Sequence, residues 1–113
     1  MNYNHYKLVI ENSFNKTKDK YKSSGRYKLV KKIDRTIQNL LNNTPTTDMH
    51  PHTITNSKSG DWECHVERNV LIRYKFDHKE KVLISKKLGT HDEVLESSYN
   101  PDDNIDDLMY LLY

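Results

Sequence analysis

Histidine is the side chain best suited to proton transfer near neutral pH, and the 113-residue chain contains six histidines. Three of them, His50, His65 and His91, are predicted to lie where strands meet loops or on the polar face of a strand. Two imidazoles held on either side of a phosphodiester can act as general base and general acid. This set of histidines is therefore compatible with acid–base chemistry at a phosphate ester.

RNA is a suitable substrate for such chemistry because it carries its own nucleophile, the 2′-hydroxyl group. Its cleavage requires proton transfers and a cation that stabilises the negative charge developing on the phosphate. The candidates for that cation are Lys87, Arg73 and Lys86. The alternative interpretation is that these histidines and lysines are solvated surface residues of a lysine-rich chain, and their spacing alone favours this alternative.

Cys64, the single cysteine of the chain, fits neither a metal site nor a nucleophile. It precedes His65 on a predicted strand, where adjacent side chains point to opposite faces, so a zinc site with His50 and His52 would not easily include both. Its own face of the strand is apolar, which predicts a core position. A lone cysteine cannot form an internal disulfide and suits a reducing cytosol. We therefore expect a cytoplasmic protein without a metal or cofactor.

Charge is distributed unevenly, although the formal total is only +2. All 18 basic residues lie at or before Lys87, whereas residues 91–113 contain seven acidic residues and no lysine or arginine. A basic body with an acidic end is typical of proteins that bind nucleic acid or another anionic surface. We therefore divide the chain into a basic domain at 1–95 and an acidic extension at 96–113.

No segment predicts membrane insertion or export. The longest apolar run, Met109–Tyr113, falls far short of the roughly 20 residues that a spanning helix needs. The first six residues lack the apolar core of a signal peptide. We therefore expect no association with a membrane.

Hydrophobic periodicity predicts a small α+β domain. Strands are predicted at 5–10, 61–67, 69–76 and 81–88, and helices from Asn12 or Ser13 to about Lys22 and at 26–42. The polar segment 43–60 is predicted as a loop, and a short amphipathic helix is predicted after Pro101. The order β-α-α-β-β-β gives a mostly antiparallel sheet with the helix pair on one face. Alternation along 61–67 places Glu63, His65 and Glu67 together on a polar face.

The helix predicted at 26–42 combines an apolar face with many basic residues. Spacings of three and four place the apolar residues on one side: Tyr27, Val30, Ile33, Ile37, Leu40 and Leu41. Nine basic residues against two acidic ones lie between Lys16 and Arg35. Such a run is usually a solvated helix face, and the competing interpretation is a surface that binds the phosphate backbone.

Four stretches carry a family resemblance: Met49–Pro51, Gly60–Glu67, Val70–Lys75 and Leu88–Leu95. They contain His-Pro ahead of a glycine-containing turn, a Glu-Cys-His-Val-Glu strand, a Leu-Ile strand and a Gly-Thr-His segment. Together they resemble the YafQ branch of the RelE/ParE toxin superfamily over about residues 3–95.

The resemblance implies a bacterial type II toxin with a RelE-like fold. Such a toxin is a ribosome-dependent, metal-independent endoribonuclease that cleaves mRNA during translation, contacts 16S rRNA and is silenced by a cognate antitoxin. By position, His50, His65 and His91 match the family's active-site histidines, and Lys87 takes the place of a transition-state arginine. We expect His91 as general acid and His50 as general base, roles that could be exchanged. His65 and Lys87 are expected to hold the scissile phosphate.

Several positions depart from the family pattern. Asn69 and Val70 stand where the family has Asp-Trp, and Leu95 stands where it has Phe, so a carboxylate and two stacking surfaces are lost. Lys87 keeps the charge of the usual arginine but not its bidentate geometry. These departures imply slower cleavage, a different choice of codons or a drift towards inactivity. The residues expected to contact RNA are Asn69, Arg73, Lys86, Leu95, Lys28, Lys31, Lys32 and Arg35.

Two alternatives stay open at this point. The chain could be a non-catalytic member of the fold, either a ParE-like toxin that inhibits a protein target or a nucleic-acid-binding module. A gyrase-directed toxin would not need three histidines around a basic strand end.

The acidic extension could fold over the basic body and compete with RNA, or it could form a helix that only adds stability.

Overall fold

Residues 3–55 and 57–96 are described by a computed structural model of the chain. In chain order the elements are β1 (Lys7–Ile10), α1 (Asn12–Ser23), α2 (Tyr27–Asn42), a 3-10 turn (Thr47–Met49), β2 (His52–Thr53), β3 (Trp62–Glu67), β4 (Val70–Asp77), β5 (Val82–Gly89) and α3 (His91–Glu96). The six elements predicted between residues 5 and 88 are confirmed, with ends that differ by at most two residues. The helix predicted after Pro101 lies outside the described residues.

Three short elements were not predicted: the 3-10 turn, β2 and α3. The first two lie in the segment expected to be a loop, and α3 follows the last strand directly. Each is too short to show a hydrophobic period of its own, so sequence periodicity could not detect them.

The five strands form one sheet in the order β1-β5-β4-β3-β2. β1 runs parallel to β5, and the other neighbouring strands are antiparallel. The helix pair α1 and α2 packs on one face, α1 against β5 and α2 against β3. The predicted α+β class is thus confirmed. Within the described part of the chain, no helix is both long and apolar enough to cross a membrane.

Helix α2 supplies much of the core, because Leu29, Ile33, Ile37 and Leu40 recur at helical spacing and are buried. They form one cluster with the residues of β4 and β5 that face the helices. Tyr27, expected on the apolar face, is 62% exposed. Two residues correspond to about 200° around a helix, so a stripe centred on Leu29 and Ile33 leaves Tyr27 on the outer side.

A β-bulge near the end of β3 changes the side to which Glu67 points. The pairing with β4 shifts register between His65 and Glu67, so Glu67 pairs with Val70, which belongs to the core under the helices. The carboxylate of Glu67 accordingly lies 3.7 Å from Arg26 Nη2 and 3.7 Å from Lys32 Nζ. The prediction that Glu67 shares the polar face is wrong, because alternation at period two does not register an inserted residue.

Helix α3 folds back over the sheet face that α1 and α2 leave uncovered. A capping box starts it: Glu93 N donates to Thr90 Oγ1 at 3.3 Å, and Thr90 N donates to Glu93 Oε1 at 3.0 Å. Val94 is fully buried, as is Leu71 of β4, and neither belongs to the helix-side core. The capped turn places His91 immediately after β5, at the start of this helix.

Candidate functional site

Four titratable residues form one row across the open face of the sheet, the face opposite α1 and α2. Cross-strand pairing from β2 to β5 joins them in the order His52, Glu63, Arg73 and Lys87. Directly opposed residues point to the same face, so all four side chains share it. With neighbouring strands about 4.8 Å apart, the row spans about 14 Å. The row thus contains one carboxylate and three side chains that can carry positive charge.

Glu63 is the centre of this arrangement, with a side chain only 4% exposed. Its Oε1 accepts a hydrogen bond from His52 Nε2 at 2.7 Å, and His91 Nδ1 lies 3.8 Å from the same oxygen. Within residues 3–55 and 57–96, Oε2 has no hydrogen-bond partner although it is buried. Two histidines from different elements, β2 and α3, therefore meet at one buried carboxylate.

His52 is hydrogen-bonded through both ring nitrogens. Nδ1 lies 2.6 Å from the carbonyl oxygen of His50, and Nε2 lies 2.7 Å from Glu63. A carbonyl oxygen and an ionised carboxylate only accept hydrogen bonds, so this pair of partners favours the form of the ring in which both nitrogens are protonated. The His50 carbonyl contributes most to raising the pKa of His52, the Glu63 carboxylate adds to the rise, and partial burial opposes it.

Asp61, just before β3, is the second buried carboxylate and is 1% exposed. It accepts from Arg73 Nε, Lys86 Nζ and Ser59 Oγ, each at 2.8 Å. Burial by itself would raise the pKa of Asp61, but the hydrogen bonds from Lys86, Ser59 and Arg73 outweigh burial, and the pKa is lowered. Arg73 Nη1 also donates to the carbonyl oxygen of Val94 at 3.4 Å, which ties α3 to β4.

A second bulge explains how Lys86 reaches Asp61. The register between β4 and β5 shifts between Arg73 and Tyr74, so Lys86 is the extra residue between the partners Ser85 and Lys87. Strict alternation would place the Lys86 side chain on the face opposite that of Lys87. The bulge instead lets Lys86 reach the Asp61 carboxylate on the side of the open face. Both lysines therefore belong to the same surface.

The structure brings most of the predicted catalytic set to this face. His91 is exposed at the start of α3, and Lys87 is half-buried at the end of the charged row. His65 is half-buried opposite Leu71, with Nδ1 3.3 Å from the carbonyl oxygen of Glu67. His50 is exposed after the 3-10 turn, and its main chain is one hydrogen bond from His52.

The residues predicted to contact RNA are divided between two surfaces. Asn69 is exposed in the turn between β3 and β4, and Leu95 is half-buried on α3. Arg73 and Lys86 are engaged with Asp61, so they stabilise the site from below rather than extend into solvent. The remaining residues form the second surface, which is exposed on α2 on the other side of the sheet: Lys28, Lys31, Lys32 and Arg35.

Sequence reasoning missed Asp61, Glu63 and His52 as site residues. Acidic side chains at the start and middle of a predicted strand were the available signal, because a buried carboxylate requires partners. His52 was considered only as a zinc ligand. The pairing of His52 with Glu63 depends on β2, an element of two residues.

Cys64 is completely buried in the core, and burial raises the pKa of its thiol to about 12. The thiol is therefore protonated near neutral pH and is a poor ligand or nucleophile. Among the residues that the structure describes, no group of three or more His, Cys, Asp or Glu side chains is arranged to hold a metal ion.

The fold is similar to the folds of several small bacterial toxins. A metal-bound toxin from Helicobacter pylori is similar with a TM-score of 0.69 and 22% identity, over 79% of this chain and 98% of that one. A YoeB/ParE toxin from Agrobacterium tumefaciens has a TM-score of 0.65 and 20% identity, over 75% and 98% respectively. A chain of the E. coli DinJ-YafQ toxin-antitoxin complex has a TM-score of 0.62 and 25% identity, over 76% and 92%.

Residues 6–96 match the family described as the bacterial toxin of type II toxin-antitoxin systems, YafQ. Since that match covers most of the chain, this protein belongs to the YafQ family of type II toxins. The resemblance read from the four motifs is confirmed. A sequence comparison with curated proteins found no match.

Proposed function

We propose that this toxin is a ribosome-dependent endoribonuclease that cleaves mRNA by attack of the 2′-hydroxyl group, without a metal ion in the chemistry. Membership of the YafQ family supports the proposal. The observation that carries it is the placement of His91 at the carboxylate of Glu63, in a face whose charged row ends in Lys87. An imidazole beside a buried carboxylate and a nearby cation are what metal-independent cleavage of RNA needs.

In the proposed reaction, the 2′-oxygen forms a bond to phosphorus while its proton passes to His50. The bond from phosphorus to the 5′-oxygen breaks while His91 donates a proton to that oxygen, which leaves a 2′,3′-cyclic phosphate and a 5′-hydroxyl. Because His91 Nδ1 faces Glu63, Nε2 is the nitrogen directed to the leaving group. Lys87 and His65 neutralise the phosphate, with Lys87 acting as a point charge rather than a fork.

The two basic surfaces suggest two kinds of contact with the translating ribosome. The open face takes the mRNA, and the exposed lysines of α2 bind the phosphate backbone of 16S rRNA: Lys28, Lys31 and Lys32, with Arg35 beside them. Backbone contacts of this kind depend on counterion release, so ribosome binding should weaken as salt is added. A protein acting there would be cytoplasmic.

We further propose that a cognate antitoxin silences the toxin. The E. coli YafQ structures to which this chain is similar include complexes with DinJ. An antitoxin that covers the open face would block access to His91 and Lys87. The proposal commits to a protein partner but not to its sequence.

Mapping of mRNA 5′ ends after induced expression tests the proposed function. The wild-type chain should produce cuts in phase with codons, His91→Ala should produce none, and His5→Ala should match the wild type because His5 is exposed away from the site. Growth arrest without cuts, accompanied by arrested replication, would instead establish a non-catalytic toxin with a protein target.

A further inference from the structure

We propose that His52 is a positioning residue that holds the two proposed catalytic histidines, His50 and His91, at a fixed separation across the open face. The inference rests on the function proposed above. His52 lies outside the active-site histidines to which the family resemblance points, and its role follows from the contacts of its ring.

The imidazole of His52 joins the segment that contains His50 to β3, in addition to the core packing of the neighbouring Met49. On one side Nδ1 donates to the carbonyl oxygen of His50 at 2.6 Å, and on the other Nε2 donates to Glu63 Oε1 at 2.7 Å. β2 contains only two residues, so its ladder with β3 provides little hold by itself. The side-chain bridge therefore adds a polar connection between the backbone of His50 and β3 to the apolar packing of Met49.

The backbone of His50 shows why this connection matters. His50 ends the 3-10 turn in the left-handed region, with φ 47° and ψ 54°. Residues other than glycine adopt this region rarely and hold it only where the surroundings favour it. The short hydrogen bond to His52 stabilises the orientation of the His50 peptide group, and thereby the point from which the His50 side chain starts.

The other end of the bridge controls His91. Glu63 Oε1 receives His52 and also lies 3.8 Å from His91 Nδ1, while Oε2 has no hydrogen-bond partner in the described part of the chain. Arg73 is the next residue in the row, but its Nε is bound to Asp61. Loss of His52 would therefore remove the one hydrogen bond that the structure gives, among the residues it describes, to the Glu63 side chain, and the carboxylate beside His91 would lose its fixed position.

The first experiment measures single-turnover cleavage of mRNA on isolated ribosome complexes. His52→Leu should lower the rate constant of cleavage by on the order of 10-fold or more, because small displacements of reacting groups are costly. Its affinity for ribosomes should stay within about twofold of wild type, since the basic face of α2 is untouched. His52→Gln, which keeps a donor for Glu63, should regain part of the rate, and His5→Leu is the matched control.

The second experiment needs no cleavage and reports on the free protein. Imidazole nitrogen NMR should show His52 titrating above the ordinary histidine value of 6.5, and His52→Leu should shift the ring signals of His50 and His91 while His5→Leu leaves them in place. Unmoved signals would overturn the inference. A wild-type cleavage rate for His52→Leu would also overturn the inference. The same holds for a loss of activity that comes only from weaker binding to ribosomes. A wild-type chain that does not cleave mRNA would overturn the proposed function, and the NMR result would still decide the positioning role.

Discussion

Arg73 and Asp61 form a buried ion pair beneath the open face, with Arg73 Nε 2.8 Å from Asp61 Oδ2 and side chains 10% and 2% exposed. Lys86 binds the other oxygen of the same carboxylate at 2.8 Å. One acidic side chain ahead of β3 therefore anchors a residue of β4 and a residue of β5. The pair connects the three strands on which the candidate site is built.

Removing the charge of Asp61 should destabilise the fold. Asp61→Asn leaves Arg73 and Lys86 without their carboxylate, and breaking a buried pair in this way costs about 3 kcal/mol of unfolding free energy. Urea unfolding at neutral pH measures the loss. Asp19→Asn, an exposed substitution on α1, is the control and should change little.

The same substitution has a pH signature. The folded-state pKa of Asp61 lies below its ordinary value of 3.8, so its stabilising contribution is complete above that value and is lost as the pH falls through the lowered pKa. The difference in unfolding free energy between wild type and Asp61→Asn should therefore become smaller in strong acid. A difference that stays constant from neutral to strongly acidic pH would contradict the ionised pair.

His52 should make the free energy of unfolding depend on pH in the opposite direction, because its contribution is lost as the pH rises. Its pKa is raised above the ordinary 6.5, so the bridge contributes fully below that value and is lost as the pH rises through the raised pKa. The melting temperature of the wild type should fall more steeply than that of His52→Gln as the pH rises above 6.5. Thermal unfolding across this range checks the slope, with His5→Gln expected to follow the wild type.

Lys87 should determine the rate of the proposed cleavage. Lys87→Ala removes a cation at the end of the charged row and should slow cleavage by on the order of 100-fold, as loss of one group that stabilises the transition state does. Lys87→Arg restores a bidentate fork and should cleave faster than wild type. Single-turnover assays measure the cleavage rates of both variants, with Lys79→Ala in the exposed turn after β4 as the control. Equal rates for Lys87→Ala and Lys79→Ala would remove Lys87 from the mechanism.

The acidic extension is proposed to restrain the toxin by competing with RNA for the basic body. Residues 97–113 lie outside the described residues, and the family match ends at residue 96, next to the proposed boundary between 1–95 and 96–113. Deletion of residues 97–113 should increase toxicity and tighten binding to ribosomes at low salt. Unchanged or lower toxicity from a folded, truncated protein would leave the extension with a role in stability only.

The order of the main elements could be predicted from the chain because its signals are local. In α2, Ile33, Ile37 and Leu40 repeat at helical spacing, and in β4 the core residues Ile72 and Tyr74 alternate with the charged Arg73. The catalytic candidates were also found from residue type, since few side chains other than histidine transfer protons at neutral pH. Both kinds of inference need only neighbours in sequence.

The arrangement of the site could be decided only by the tertiary structure. Glu63 meets His52 and His91 because β2 pairs with β3 and α3 folds back over the sheet, contacts between segments that sequence patterns do not connect. Bulges turn Glu67 to the helix side and bring Lys86 to Asp61, since one inserted residue reverses the faces of all that follow it. The chain alone therefore determined the order of the six longer elements and which side chains can transfer protons. Strand register and burial decided which of those side chains meet.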